Sequence, residues 1–178
     1  MPPLLRFRYH PDPLATGAIV ASNKPCVCCG QARGFLYALA PYSVHDDLAE
    51  AICPWCIADG AAEAKYAASF VDDYPLLQAG LPLAVVNEVC GRTPGYPSWQ
   101  QEVWQHHCGD ACAFHGEAGL ADVESASAAS IALFAQDYPF WRGGWAAFAA
   151  SYVPGGSVAL YRFVCLHCGV TRFGLDLA

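Results

Sequence analysis

Cys165-Leu166-His167-Cys168-Gly169-Val170-Thr171-Arg172 repeats an earlier stretch, Cys26-Val27-Cys28-Cys29-Gly30-Gln31-Ala32-Arg33, at both outer cysteines, the glycine and the arginine. Two thiolates with two residues between them converge on one metal ion when the chain turns tightly, and a glycine after the second tolerates the positive φ such a turn needs. Each copy leads into a strand-like segment. After the first comes Gly34 to Leu39. After the second, Phe173, Leu175 and Leu177 alternate with Arg172, Gly174 and Asp176. The second copy also follows Val158 to Val164, another strand-like run, so it reads as a knuckle inside a hairpin, the arrangement of a zinc ribbon.

Each knuckle needs two more ligands. Cys53-Pro54-Trp55-Cys56 supplies them for the first, with 23 residues between Cys29 and Cys53, a ribbon-type spacing. By elimination Cys108 and Cys112 serve the second with Cys165 and Cys168, leaving a long helical insertion between the pairs. His106, His107 and His167 are substitutes for a cysteine at that looser site. The expectation is two structural Zn²⁺ ions held by Cys26, Cys29, Cys53 and Cys56, and by Cys108, Cys112, Cys165 and Cys168. Cys90, on an apolar stripe with Val86, reads as a small buried hydrophobe, and Cys28 as either a spare or a replacement ligand.

Composition narrows the class. With 55% hydrophobic and 14% charged residues the chain folds rather than staying disordered. No apolar run approaches the roughly 18 residues of a membrane span, and the N-terminus lacks a signal peptide's apolar region and cleavage site. These point to the cytoplasm, where ten cysteines imply metal or redox chemistry before disulfides. Nine Lys and Arg against 16 Asp and Glu give a net charge of −7, and two Zn(Cys)₄ sites would take it to about −11. Phosphate binding starts from a basic face, so nucleic acid is not expected as a partner.

The rest of the chain reads as a helical middle. Cys53 opens a helix carrying Ile57, Ala61, Ala64, Ala68 and Val71 at helical spacing. Leu83 to Cys90 is a second helix. Ser98 with Gln101 three residues on resembles a capping box for a helix reaching His107. Two more helices fill Ser125 to Tyr152, broken near Asp137-Tyr138-Pro139 or Gly143-Gly144. Arg92, Tyr96, Gln100, Trp104, His107 and Asp110 are dense enough to line a pocket, although core packing of the tryptophans is the plainer expectation. Nucleophile elbows, His-Glu-x-x-His and phosphate-binding glycine loops are absent from the sequence.

Several blocks together resemble the CbrC family, named for a protein linked to colicin tolerance. They are Phe7 to Pro13, Cys26 to Gly30, Cys53 to Gly60, Arg92 to Tyr96, Trp99 to Trp104, His107 to Phe114 and Cys165 to Gly169, with weaker likeness from Leu120 to Gly156. The resemblance implies an intracellular bacterial protein connected with toxin or stress tolerance, and it carries no established catalytic activity to transfer.

The sequence therefore predicts a single α+β domain over 1–178, with an N-terminal zinc lobe over about 1–75. A helical region and second zinc lobe follow over about 82–178. The leading expectation is a non-enzymatic binding protein whose acidic surface suits a basic protein partner. The alternatives are an enzyme or small-ligand binder using the Arg92 to Asp110 region, and a thiol redox or metal-responsive switch through Cys28, Cys53 and Cys56.

Overall fold

In the computed structural model, residues 3–141 and 143–177 are described. The first knuckle lies between β1 (Ile19–Ser22) and β2 (Gly34–Tyr37), an antiparallel pair that brings Ile19 opposite Tyr37. Two short helices follow, α1 (Pro54–Ala58) and α2 (Ala61–Tyr66). They replace the longer helix expected from the apolar spacing. Gly60 takes a φ of +78° between them, and Ala67 ends α2 in the left-handed region. Ser69 then pairs with Tyr42 in an isolated bridge instead of continuing the helix. Phe7, Ile19, Leu36, Tyr37, Ile52 and Ile57 close this N-terminal core.

Next come α3 (Tyr74–Gln78) and α4 (Leu83–Arg92), which turns Val86, Val89 and Cys90 into a second, central core. The expected helix from Ser98 to His107 does not form. Residues 95–105 form neither helix nor strand and bend at Trp99 and Gln100 before β3 (His106–His107), which pairs with β4 (Asp110–Ala111) in a small hairpin. The physical reason is tertiary. The Ser98 hydroxyl bonds to the Gln100 carbonyl instead of capping a helix. The Asp176 carboxylate accepts the N–H groups of Trp99 and Gln100 at 2.7 and 3.2 Å. Trp104 is fully buried and donates its indole N–H to the Cys112 carbonyl at 2.9 Å. These anchors outweigh a weak local capping preference.

A three-stranded antiparallel sheet holds the second half, in the order β5 (Ala113–Glu117), β6 (Val158–Val164), β7 (Thr171–Leu177). Between β5 and β6 lie α5 (Leu120–Glu124), α6 (Ala128–Asp137) and α7 (Gly144–Ser151). Ser127 caps α6 by accepting the Ser130 N–H. On one sheet face Leu160 and Phe173 pack with Phe134 and Phe148 of the helices. On the other, Tyr161, Phe163 and Phe114 pack with Tyr96 and Trp104.

The polar stripe of β7, with Arg172 and Asp176, is therefore buried beneath residues 97–105 and has partners there. The Phe163 ring and the Gln105 amide pack over Gly174, 3.5 and 3.6 Å from where a Cβ would stand. The N-terminal arm threads into this region. Phe114 donates its N–H to the Tyr9 carbonyl at 2.7 Å, and Tyr9 is fully buried in the central core. None of the described helices is long and apolar enough to cross a membrane.

Candidate metal centres

The two knuckles fold alike, as their repeated sequence requires. The N–H of Cys26 bonds to the Gln31 carbonyl at 3.0 Å, and that of Cys165 to the Val170 carbonyl at 2.9 Å. Gly30 and Gly169 return their N–H groups to the carbonyls of Cys26 and Cys165, and both glycines sit at φ +73°. That conformation is costly for any residue with a Cβ, which accounts for the repeated glycine.

Four thiols meet at the first knuckle: Cys26, Cys29, Cys53 and Cys56, with ligand atoms within 4.8 Å of one another. Cys26 Sγ lies 3.9 Å from Cys56 Sγ, and Cys29 Sγ lies 3.9 Å from Cys53 Sγ. A tetrahedral ion bonded to thiolates at about 2.3 Å sets their sulfurs roughly 3.8 Å apart, so the cluster has the dimensions of a four-coordinate centre. Pro54 at the start of α1 fixes the turn that aims Cys53 and Cys56 together.

The second knuckle gathers a different set. Cys108, Cys165 and Cys168 stand with His107, and Cys112 does not take part. Cys108 and Cys168 sulfurs are 3.8 Å apart, and the His107 Nδ1 lies 3.2 and 3.4 Å from them. One imidazole nitrogen at about 2.0 Å from an ion would sit roughly 3.5 Å from its thiolates, so these spacings also suit four-coordination.

The β3–β4 hairpin explains the exchange. Cys108 and Gly109 occupy its two-residue turn with φ of +53° and +73°, the pattern of a type I′ turn. His107 flanks that turn. Cys112 lies further down the ladder, where its N–H bonds to the Gln105 carbonyl. It is fully buried in the central core, and burial pushes its thiol up to about 12. Cys90 is a buried core residue as well, its thiol also raised to about 12 by burial. Cys28 packs against the N-terminal core outside the group of four.

The first cysteine of each knuckle is the one most ready to ionise. A hydrogen bond from the Cys53 thiol lowers Cys26 to about 4 against the effect of burial, and backbone N–H groups of Cys53, Cys29 and Cys28 help. Burial opposes ionisation of Cys165, yet the N–H groups of Cys168 and His167 bring it down to about 6. Cys53 is pushed up because its proton serves Cys26, and burial pushes Cys56 up. Such a cluster holds several thiolates at once only when a cation replaces the shared protons.

The groups differ in exposure. Three of the first four ligands are buried, whereas only Cys165 is buried in the second. Beside the second, Asp110 is buried and joins three elements. Its carboxylate accepts from Tyr9 Oη at 2.8 Å and Arg8 Nη2 at 2.7 Å, and lies 2.9 Å from His167 Nε2. Burial would raise its pKa, but bonds from Tyr9 and His167 and the charge of Arg8 hold it below the ordinary carboxylate range.

The six residues read as a pocket do not assemble into one. Tyr96 and Trp104 are core residues with ring centroids 5.8 Å apart. His107 is in the metal group, Asp110 in the network beside it, and Arg92 on the surface at the end of α4. Only Tyr96, Gln100 and Trp104 border a common cleft, of about 380 Å³. Its polar wall is built by residues from distant segments, which sequence spacing does not reveal. Among them Arg172 Nη2 bonds Asp137 Oδ2 at 2.6 Å and Gln105 Oε1 at 3.4 Å, with His106 beside them.

A family model described as an uncharacterised protein family, UPF0167, matches residues 4–177. The chain belongs to that family. A UPF0167 protein of Pseudomonas aeruginosa is 53% identical over 98% of both chains. UPF0167 proteins of Mycobacterium bovis and Mycobacterium tuberculosis are each 43% identical, over 98% of this chain and 94% of theirs. No solved structure matches the chain significantly.

Proposed function

We propose that this UPF0167 chain is a cytoplasmic zinc protein in which two closed four-ligand centres are structural, and that it acts by binding rather than by catalysis. The carrying observation is the spacing of the ligand atoms, with sulfurs 3.8 to 3.9 Å apart in both groups. Thiolate-rich tetrahedral donors favour zinc over the harder divalent cations. All four positions at each centre are filled by side chains, which leaves none for a reacting water. When bound, the ion would supply charge neutralisation and a cross-link between segments distant in the chain. The proposed ligands are Cys26, Cys29, Cys53 and Cys56 at one centre, and His107, Cys108, Cys165 and Cys168 at the other. With one imidazole in the second set, the filled protein carries about −10, against −7 without metal.

That charge supports a basic protein as partner, and the resemblance to the CbrC family suggests a part in toxin tolerance. Metal analysis of native protein by mass spectrometry tests the first half: two zinc ions per chain are expected, and one or none would overturn it. Capture of a single stoichiometric cationic protein, lost at high salt, is the expected result for the second half. A salt-insensitive or acidic partner would count against it.

A further inference from the structure

We propose that the cleft between the N-terminal arm and α4 is a binding site for a small oxyanion, the phosphate or carboxylate group of a metabolite. It has a volume of about 440 Å³, and its walls carry Arg6, Arg8, Asn87, Glu88, Arg92 and Thr93. Three of the nine Lys and Arg residues of an acidic chain thus face one concavity. The fold explains only one of them. Arg8 is held by Asp110 at 2.7 Å and lies 3.8 Å from Glu88. Among the described residues, neither Arg6 nor Arg92 forms an ion pair.

Arg92 is nevertheless positioned. Its guanidinium lies over Gly60, where a Cβ would stand 3.4 Å from Nε and Nη2. Gly60 needs its φ of +78° to separate α1 from α2, and the Arg92 guanidinium rests in van der Waals range of that turn. Seating a long, flexible side chain before a ligand arrives removes part of the ordering cost of binding. Arg8, already tied to Asp110, orients the arm that carries Arg6. Arg8 divides one charge between Asp110 and the more distant Glu88, so Arg6, Arg8 and Arg92 together outweigh these two carboxylates by about one positive charge. Guanidinium forks match carboxylate and phosphate oxygens two at a time, and stay charged at every physiological pH. The Asn87 amide adds a neutral donor on the same wall.

The site is independent of the proposed zinc reading, and its test measures a different quantity. Inorganic phosphate and succinate, neither of which strips tightly held zinc, are titrated calorimetrically at low ionic strength into the full metal-loaded chain. Binding of at least one of them at sub-millimolar concentration is expected, and the stronger of the two identifies phosphate or carboxylate as the natural group. Arg6→Gln and Arg92→Gln are each expected to weaken binding about tenfold. Arg33→Gln, which alters a half-buried arginine on the first knuckle that lies over Trp55 and outside the cleft, leaves it unchanged. Arg6 and Arg92 are exposed and Arg33 is half-buried, and melting temperatures of all three variants verify that they fold. Absence of binding by both probes, or equal weakening by Arg33→Gln, overturns the proposal.

Discussion

His167 Nε2 lies 2.9 Å from Asp110 Oδ2, and this contact ties the second knuckle to the hairpin that carries Cys108. The same carboxylate holds Arg8 and Tyr9, so the N-terminal arm, hairpin and knuckle share one buried acceptor. Asp110→Ala strands three donors at once. A loss of about 2–3 kcal/mol is expected, below the full range for a broken buried pair because Arg8 and His167 remain half in water. Tyr9→Phe should cost about 1 kcal/mol. In denaturant titrations the double variant should lose less than the sum of the two. Strict additivity would mean that the network is not coupled.

The second metal group predicts a sharp contrast between two neighbouring cysteines. Cys112→Ala should retain two metal ions per chain and lose only about 1 kcal/mol from the core. Cys108→Ser and His107→Ala should each lose one ion. Metal content by mass spectrometry decides between them, and loss of an ion from the Cys112 variant would restore it as a ligand.

Exposure orders the two centres. With only Cys165 buried and one thiolate replaced by imidazole, the second centre should release its metal to a chelator first. A colorimetric chelator added in stepwise excess should show two phases of one ion each. Cys56→Ser should abolish the slower phase and leave the faster. A single phase of two ions would contradict this.

Gly95 fits where no other residue does. A Cβ there would collide with the Phe70 carbonyl and stand 2.9 Å from Tyr37 Oη. Gly95→Ala is expected to cost about 3 kcal/mol or more, since backbone cannot yield as a side-chain tip can. Thermal melts of the metal-loaded protein check it, and a variant as stable as the natural chain would show that residues 93–97 are free to shift.

His10 supplies a pH dependence. It is fully buried between Thr16 Oγ1 at 2.7 Å and the Pro94 carbonyl at 2.9 Å, and burial lowers its pKa to about 4. The folded state refuses a proton that the unfolded chain accepts below about 6.5. Its stabilising contribution is therefore complete above pH 6.5 and falls as pH drops towards 4, by up to about 3 kcal/mol. His10→Asn removes this slope. The stability gap between the natural chain and the variant should be constant above pH 7 and narrow below 6.5, whereas a gap that stays constant to pH 4 would show that His10 titrates normally.

What could be read directly from the sequence was what is local. The repeated knuckle, the glycine at its positive φ and the strands on either side depend on hydrogen bonds spanning four or five residues, so eight-residue motifs carry them. The strand from Val158 to Val164 and the helix beginning at Leu83 follow from local chain breaks, Pro154-Gly155-Gly156 before the one and Gly80-Leu81-Pro82 before the other. Residues 98–107 failed that logic: a capping pattern marked a helix, but Asp176, 76 positions beyond Gln100, took the backbone donors first.

The same division runs through the opening repeat. Its second cysteine pair, Cys165 and Cys168, is set by spacing. Which neighbours join it depends on the turn at Cys108-Gly109, where two residues with positive φ swing His107 towards the sulfurs and send Cys112 into the core. Spacing fixes where thiols come in pairs. Only the packed chain decides which side chains complete a tetrahedron, because a ligand must satisfy the backbone and the core as well as the ion.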